Sequence, residues 1–565
     1  MKKNVRVQPE SVVEQKACED IINSALKKKI KNARDLLILK KEACEKYKIG
    51  FVSNPLLLNV YRQLVESKKV KENKSLFQIF RKRKIRTQSG IASVAVLTKA
   101  YKCPGKCLFC PTQSGVPKSY INNEPAVMRA ILANYDPIRQ VNIRLRGLEI
   151  SGNPADKIEL IVMGGTFSYL PKVYQLKFII GCFWACNRYK TKNNNSKFKT
   201  NSINDLNLKN KTIVELKEIL DKEQIKNERA KYRIVGLTLE TRPDYISEKE
   251  LIWFRQLGCT RVEIGVQSIY DRILEINKRG HNVNSIVTAT KLLKDAGFKI
   301  NYHMMPNLYG SNIKKDREMF EKLFSDSQFK PDMLKIYPCV VTKYSPYLNL
   351  YNDKKYIPYT DEELIKLIIS IKKNIPEYVR IQRLIRDIPA QNIVGSSKVS
   401  NLRQIINKFH PDICKCIRCR EIRNIKKKKI HLDRIDYAAS CGKEIFLQYI
   451  DNDNHVYTLL RLRIPSQVNI KNNNLRDNKH WIDELTGCAI IREVHTYGPM
   501  LAVGMKNKKA SQHTGLGLKL IKKAEKIAKE EFGLKKVAVI SGVGVRGYYK
   551  KLGYEIDKLY MVKNI

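Results

Sequence analysis

Lys102-Cys103-Pro104-Gly105-Lys106-Cys107-Leu108-Phe109-Cys110-Pro111 sets three cysteines at C-x-x-x-C-x-x-C spacing in a loop punctuated by proline and glycine. Thiolates are soft ligands, and three from one compact loop suit an iron–sulfur cube. A [4Fe–4S] cube held by three cysteines keeps one iron without a protein ligand, and a small molecule can bind there. A zinc knuckle would want a fourth ligand close by, yet no His or Cys lies between Cys110 and Cys182.

Around that loop the chain alternates short apolar, β-rich runs with helical stretches. The runs are 93–97, 160–163, 234–239, 262–266, 300–304, 334–337 and 379–383. Strands buried on both faces read this way, and their alternation with helices predicts a parallel sheet or partial TIM-type barrel. The cysteine loop follows the first run, Gly164-Gly165-Thr166 the second and Glu240-Thr241-Arg242-Pro243-Asp244 the third. Gln267-Ser268, Met304-Met305-Pro306-Asn307 and Pro338-Cys339 follow the next three. Barrel enzymes build their sites at the C-terminal strand ends, and here polar and glycine-rich groups gather there six times.

Residues 1–88 are basic, with Val12, Val13, Ala17, Ile21, Ile22 and Leu26 at helical spacing and Arg81-Lys82-Arg83-Lys84 near the end. The segment fits either a helical cap or an RNA-backbone surface. The barrel is expected over 89–400, interrupted by a polar low-complexity insert at 187–211. A cysteine-rich linker at 401–430 carries Cys414, Cys416 and Cys419 at C-x-C-x-x-C spacing, which predicts structural zinc, with His410, His431 and Cys441 as candidates for a fourth ligand. Residues 431–565 read as a mixed α/β domain with strands at 457–464, 487–494 and 537–541. There Gln512-His513-Thr514-Gly515-Leu516-Gly517 precedes an amphipathic helix bearing Leu520, Ile521, Ala524, Ile527 and Ala528. Glycines at a helix start bring backbone N–H groups and the helix dipole to a pyrophosphate.

Across 565 residues, 106 Lys and Arg against 55 Asp and Glu leave +51, which points to a polyanion, nucleic acid ahead of membrane. The chain is also rich in Lys, Asn and Ile throughout, so charge alone is a weak guide. Met1-Lys2-Lys3-Asn4 opens no apolar signal region, and the longest uncharged apolar stretch, 178–186, is about half a membrane span. A cytoplasmic protein with no membrane partner is expected, its clustered cysteines serving as metal ligands.

Two signatures become specific at this point. Q-x-x-G-x-G at 512–517, followed by Ala538-Val539-Ile540-Ser541-Gly542-Val543-Gly544, is similar to the acyl-CoA-binding half of the GNAT acetyltransferase fold. Together with Glu124-Pro125-Ala126-Val127-Met128-Arg129-Ala130, Ile161-Val162-Met163-Gly164-Gly165-Thr166-Phe167, Val262-Glu263-Ile264-Gly265-Val266-Gln267-Ser268 and Tyr302-His303-Met304-Met305-Pro306-Asn307, it resembles the family of the Elongator catalytic subunit from about residue 86 to 561. Proteins of that family join a radical S-adenosylmethionine (SAM) barrel to a GNAT-type domain and modify the wobble uridine of tRNA.

The resemblance implies a [4Fe–4S] cluster on Cys103, Cys107 and Cys110, with SAM on the open iron. It further implies SAM contacts from Gly164, Gly165, Glu240, Arg242 and Gln267. Acetyl-CoA is expected on Gln512, His513, Gly515, Gly517, Gly542 and Gly544, with Tyr548 and Tyr549 at the thioester. SAM-derived radical chemistry on the acetyl methyl would install a carboxymethyl-type group at uridine C5, in a barrel interior expected to be dry. The anticodon stem-loop of tRNA is the implied partner, with Lys102, Lys118, Lys335 and Arg383 as contacts. Elongator-type subunits would join it if the source is eukaryotic. The compact cysteine spacing departs from that of many eukaryotic members, and the insert at 187–211 has no counterpart. Two other readings compete: a protein lysine acetyltransferase with a structural cluster and Glu493 as general base, and a non-catalytic tRNA-binding scaffold.

Overall fold

Helices Val12–Lys27, Ala33–Lys46, Asn54–Glu66 and Lys74–Phe80 open the chain, and in each the N-cap side chain (Ser11, Asn32, Ser53 or Asn73) accepts a backbone N–H of the first turn. The computed structural model describes residues 9, 11–81, 90–189, 202–399, 401–423, 428–468, 479–498 and 515–565. The buried stripe of the first helix is Ala17, Cys18, Ile21, Ile22 and Ala25. Val12 and Val13, expected inside, are exposed because they lie in the first turn, beyond the reach of the packed helices. Arg62 Nη1 donates to the Glu149 carbonyl at 2.7 Å and Arg81 Nη2 to Asn153 Oδ1 at 2.9 Å, docking this bundle on the next domain. The rest of the basic run after Arg81 lies outside the described residues.

Strands β1 (Ala92–Leu97), β2 (Lys157–Met163), β3 (Arg233–Thr241), β4 (Arg261–Gln267), β5 (Lys299–Met304), β6 (Met333–Ile336) and β8 (Arg380–Arg383) form one sheet in that order, every neighbouring pair parallel. A short antiparallel pair, β7 (Val341–Thr342) and β9 (Ile393–Gly395), sits apart. Along β4 the period-two alternation sends Val262, Ile264 and Val266 into the apolar core, while Arg261, Glu263, Gly265 and Gln267 line the interior. The expected insert is narrower than 187–211. Asn187 belongs to the helix Lys172–Arg188, and Ser202 Oγ donates to Asp136 Oδ2 at 2.7 Å before the turn Ile203–Leu206; residues 190–201 lie outside the description.

A second seven-stranded sheet runs β10 (Ile430–Ala439), β11 (Gly442–Asp451), β12 (Val456–Ile464), β13 (Cys488–Thr496), β14 (Lys536–Val539), β16 (Tyr560–Asn564), β15 (Glu555–Asp557). Only β13 and β14 pair in parallel within it. Their ladder ends at Ile491, so from Arg492 to Thr496 β13 runs on past β14, still paired to β12. This is the GNAT-type arrangement, with helix Leu516–Phe532 packed on the sheet through Leu520, Ile521, Ala524, Ile527 and Ala528.

The two sheets share an apolar core in which Ile490, Ala538, Val543 and Tyr560 meet barrel residues. Buried ion pairs cross the same joint: Arg492 grips Asp332 at 2.5 and 3.0 Å and Glu444 at 2.8 Å, and Arg463 reaches Asp295 at 2.7 Å.

Candidate active site

The cysteine loop leaves β1 with the Thr98 N–H on the Met163 carbonyl at 3.0 Å and is tied to the far side of the barrel by Leu108 N–H on the Asn277 carbonyl at 3.1 Å. Cys107 and Cys110 are buried and Cys103 half-buried. Burial, then Cys107 and Cys103, push the Cys110 thiol up to about 12, a crowding that a cationic centre relieves by taking the thiolates. Among the described residues these sulfurs form no group within 4.8 Å of one another, whereas those of Cys414, Cys416 and Cys419 do. Tetrahedral zinc needs sulfurs roughly 4 Å apart; a cube, touching one sulfur at each of three corners, needs a wider set.

Polar atoms with nothing to bind collect around the first triplet. Thr98 Oγ1, Arg242 Nη1, Gln267 Oε1 and Arg279 Nε are all buried without a hydrogen-bond partner, which a well-packed interior leaves only for a polar ligand. Gly164 and Gly165 have φ of +137° and +95°; a Cβ on Gly164 would overlap the Thr98 side chain, which makes it a packing glycine, and Gly165 lines the cavity. SAM, with amino, carboxylate and ribose groups, has the chemistry such a set of donors and acceptors requires, and the triplet fits the cluster. Glu240 accepts from Tyr120 Oη at 2.7 Å and lies 3.9 Å from Lys335 Nζ.

Beyond this ligand space the interior is charged. Arg261 bridges Glu159 at 2.5 Å and Glu263 at 3.5 Å, and His303 Nε2 meets Glu263 at 2.8 Å. Burial would raise the Glu263 carboxyl, but Lys335, His303 and Arg261 hold it well below the usual range. Lys335 is therefore an internal ion-pair partner, buried against Glu263, and not the open phosphate contact expected of it. Lys102 is exposed, Lys118 lines the cavity, and Arg383 stands at its rim paired with Asp387 at 2.8 Å. The cavity, about 1690 Å³, runs from Cys103, Cys107 and Cys110 past Glu263 and His303 to Glu493, His495 and Tyr497 of β13.

Glu493 belongs to that wall. It bridges Lys299 at 3.3 Å and Arg461 at 2.9 Å; burial would raise its carboxyl, but these cations hold it down to about 2. A carboxylate so held is a poor proton acceptor at neutral pH, so the expected role as general base fails on its charge environment. Val494 and Thr496 project from the other face of β13: a Cβ on Gly517 would sit 3.6 Å from Thr496 Oγ1, 3.7 Å from Val494 Cγ1 and 3.8 Å from Tyr548 Oη. Gly515 starts the helix at φ +74°, and no described residue lies within 4 Å of where its Cβ would be. The acyl-site candidates brought together are thus Gly515, Gly517 and Tyr548.

Three others are placed elsewhere. Tyr549 is buried in the domain core, its ring edge-to-face with Tyr554. Gly542 and Gly544 press on β3, where a Cβ on Gly542 would overlap the Val235 carbonyl and one on Gly544 would come 2.6 Å from Arg233 Cβ, so they are packing glycines between domains. Gln512 and His513 lie outside the described residues.

The second triplet is closed. Ile417 N–H donates to the Val379 carbonyl at 2.9 Å, and Arg418 Nη1 to the Gln382 carbonyl at 2.7 Å. Arg420 ties the turn to Asn454 at 2.6 Å and Gln448 at 3.0 Å. Hydrogen bonds from Cys414 and Cys419 pull the Cys416 thiol well below its usual value. Of the described residues, none of His410, His431 and Cys441 joins the three sulfurs within 4.8 Å.

Sequence reasoning passed over Arg261, Glu263, Arg279, His303 and Tyr120 as site residues. Charged side chains at every second position of otherwise apolar runs were the available signal for Arg261, Glu263 and His303; Tyr120 and Arg279 lie in loops with no such pattern.

Residues 97–323 match the radical SAM superfamily and 331–409 the radical SAM C-terminal domain. The chain is 42% identical over 546 residues to a tRNA uridine(34) acetyltransferase of Methanocaldococcus infernus, covering 93% of this chain and 94% of that one. It is 35% identical to Elongator complex protein 3 of Schizosaccharomyces pombe, covering 97% and 98%. Among solved structures, the archaeal Methanocaldococcus infernus Elp3 with an N-terminal deletion superposes with TM-score 0.67 at 38% identity, over 84% of this chain and 99% of that one.

Proposed function

The chain belongs to the family of tRNA uridine(34) acetyltransferases and Elongator complex protein 3, and we propose that it modifies uridine 34 of tRNA at C5, drawing the added carbons from acetyl-CoA. The observation that carries this reading is the cavity that runs from the Cys103, Cys107 and Cys110 loop to one face of β13, with Gly517 and Tyr548 beside Val494 and Thr496 on the other face of the same strand. When bound on that loop, the cluster and SAM supply electron transfer and radical chemistry. The chain's own residues do the rest. Gly165 admits SAM to the backbone, with Gly164 packed on Thr98 behind it and Arg242 and Gln267 offering unsatisfied polar atoms. Glu240 and Tyr120 share one proton-bearing hydrogen bond on the cavity wall. Gly515 and Gly517 leave the helix start open to the CoA phosphates, while Tyr548 lies beside Gly517 for the acyl group. In the same reading Cys414, Cys416 and Cys419 hold one zinc ion that fixes the linker between domains.

Protein lysine acetylation finds no support in Glu493, whose carboxylate is committed to Lys299 and Arg461. The deciding experiment incubates anaerobically reconstituted protein with tRNA, SAM and acetyl-CoA, and follows 5′-deoxyadenosine and C5-modified uridine. Both should appear. Acetylated peptide without modified uridine, unchanged when Cys103, Cys107 and Cys110 become Ala, would sink the reading.

A further inference from the structure

The barrel sheet does not close. Its edges are β1 and β8, and the chain leaving β8 crosses to the loop beyond the cysteines, where Arg386 Nη2 donates to Glu124 at 2.9 Å and Asn392 Nδ2 to Asn123 at 2.6 Å. The ribbon of β7 and β9 belongs to this crossing, and the Tyr344 carbonyl just after β7 accepts the Thr112 N–H at 2.9 Å. Thr342 on β7 and Ser396 just past β9 both line the cavity. Thr342 is 1% exposed, and the hydroxyl oxygens of both residues are buried without a hydrogen-bond partner. Ser396 also holds φ at +99°, a conformation that costs any residue with a Cβ. Two residues on, Lys398 is exposed at the cavity wall, and no carboxylate pairs with it among the described residues. Orphaned hydroxyls are a fault in a packed interior, and a strained serine is a local cost that binding sites retain. Two hydroxyl donors and a cation together suit a phosphate group.

We propose that Thr342, Ser396 and Lys398 form a subsite for one backbone phosphate of the RNA strand at the open side of the barrel. The two hydroxyls donate to its oxygens and Lys398 balances its charge. The inference rests on the reading that tRNA is the substrate. Coenzyme A carries phosphates too, but the helix start offered to them, at Gly515 and Gly517, stands against Val494 and Thr496, on the face of β13 turned away from this cavity. A polymer reaches the barrel interior from the side where the sheet is open, and the ribbon stands on that side.

The test measures binding of a fluorescently labelled tRNA anticodon stem-loop to the reconstituted full-length protein by anisotropy over a series of salt concentrations, alongside the affinity for acetyl-CoA and the thermal midpoint. Lys398→Gln should weaken stem-loop binding about 5-fold and flatten its log–log salt slope by about 1. Thr342→Val keeps the shape and removes the hydroxyl, so binding should weaken about 10-fold while the thermal midpoint does not fall. Ser396→Gly removes the other hydroxyl and relieves the backbone, so it should melt higher and bind more weakly. Wild-type affinity in both Thr342→Val and Ser396→Gly overturns the proposal, leaving the hydroxyls as packing faults. Weaker acetyl-CoA binding with unchanged stem-loop binding overturns it as well, because the phosphate would then be that of the coenzyme. Failure of the wild-type protein to bind the stem-loop at any salt would instead overturn the reading beneath it.

Discussion

The two cysteine triplets differ in spacing and in company. Cys414, Cys416 and Cys419 gather their sulfurs within 4.8 Å in a turn whose arginines are spent on backbone carbonyls and nearby amides. Cys103, Cys107 and Cys110 are set wider and face a large cavity among polar atoms that lack partners. The same three side chains thus stand in a closed joint in one place and at an open cavity in the other. What separates them is whether the surrounding polar groups are already satisfied.

The sharpest way to break that contrast is to remove one ligand from each. Cys107→Ala should abolish cluster loading and uridine modification, read as iron content and 5′-deoxyadenosine, while zinc content stays unchanged. Cys416→Ala should do the reverse. Zinc is lost and the unfolding temperature drops by more than about 10 °C, yet the Cys103 loop still takes up iron. Equal losses of both metals in either variant would show that the sites are not independent.

Acid should act on the open site's wall. Glu493 is held at about 2 against its ordinary 4.5, so its pairing contributes stability above pH 4.5 that is lost as pH falls toward 2. Denaturation midpoints should therefore fall across that window in the wild type and less steeply in Glu493→Gln; parallel curves would remove Glu493 from the joint. The smallest effect tests where the open cavity's chemistry ends. Tyr548→Phe should slow consumption of acetyl-CoA by about 10-fold, whereas Tyr549→Phe, deep in the core, should leave the rate within about twofold and show only in thermal stability.

The barrel and the GNAT-type domain were legible in the chain because their strands are apolar runs with glycine or polar residues at their ends, a pattern set by local burial. The cysteine triplets were legible for the same reason, since their ligands are close in sequence. The charged interior was not. Glu263 meets His303 and Lys335 only when β4, β5 and β6 lie side by side, and Arg279 meets Cys107 across 172 residues. Gly542 and Gly544 misled because a glycine placed for close approach looks alike in sequence whether the neighbour is a pyrophosphate or, as here, the backbone of β3. Glu493 misled because its neighbours Lys299 and Arg461 come from two different sheets.

The arginines of the second sheet decide how freely its genes could be shuffled. Arg463 and Arg492 are fully buried, and their countercharges Asp295 and Asp332 belong to the barrel. Cut at the linker, the C-terminal half would keep only Glu444, 2.8 Å from Arg492 and 3.5 Å from Arg463, against two buried guanidiniums, and grafted onto another barrel it would need two aspartates waiting at the same places. The joint is thus a lock keyed by charge, in which each half carries the counter-ions that the other half's burial requires.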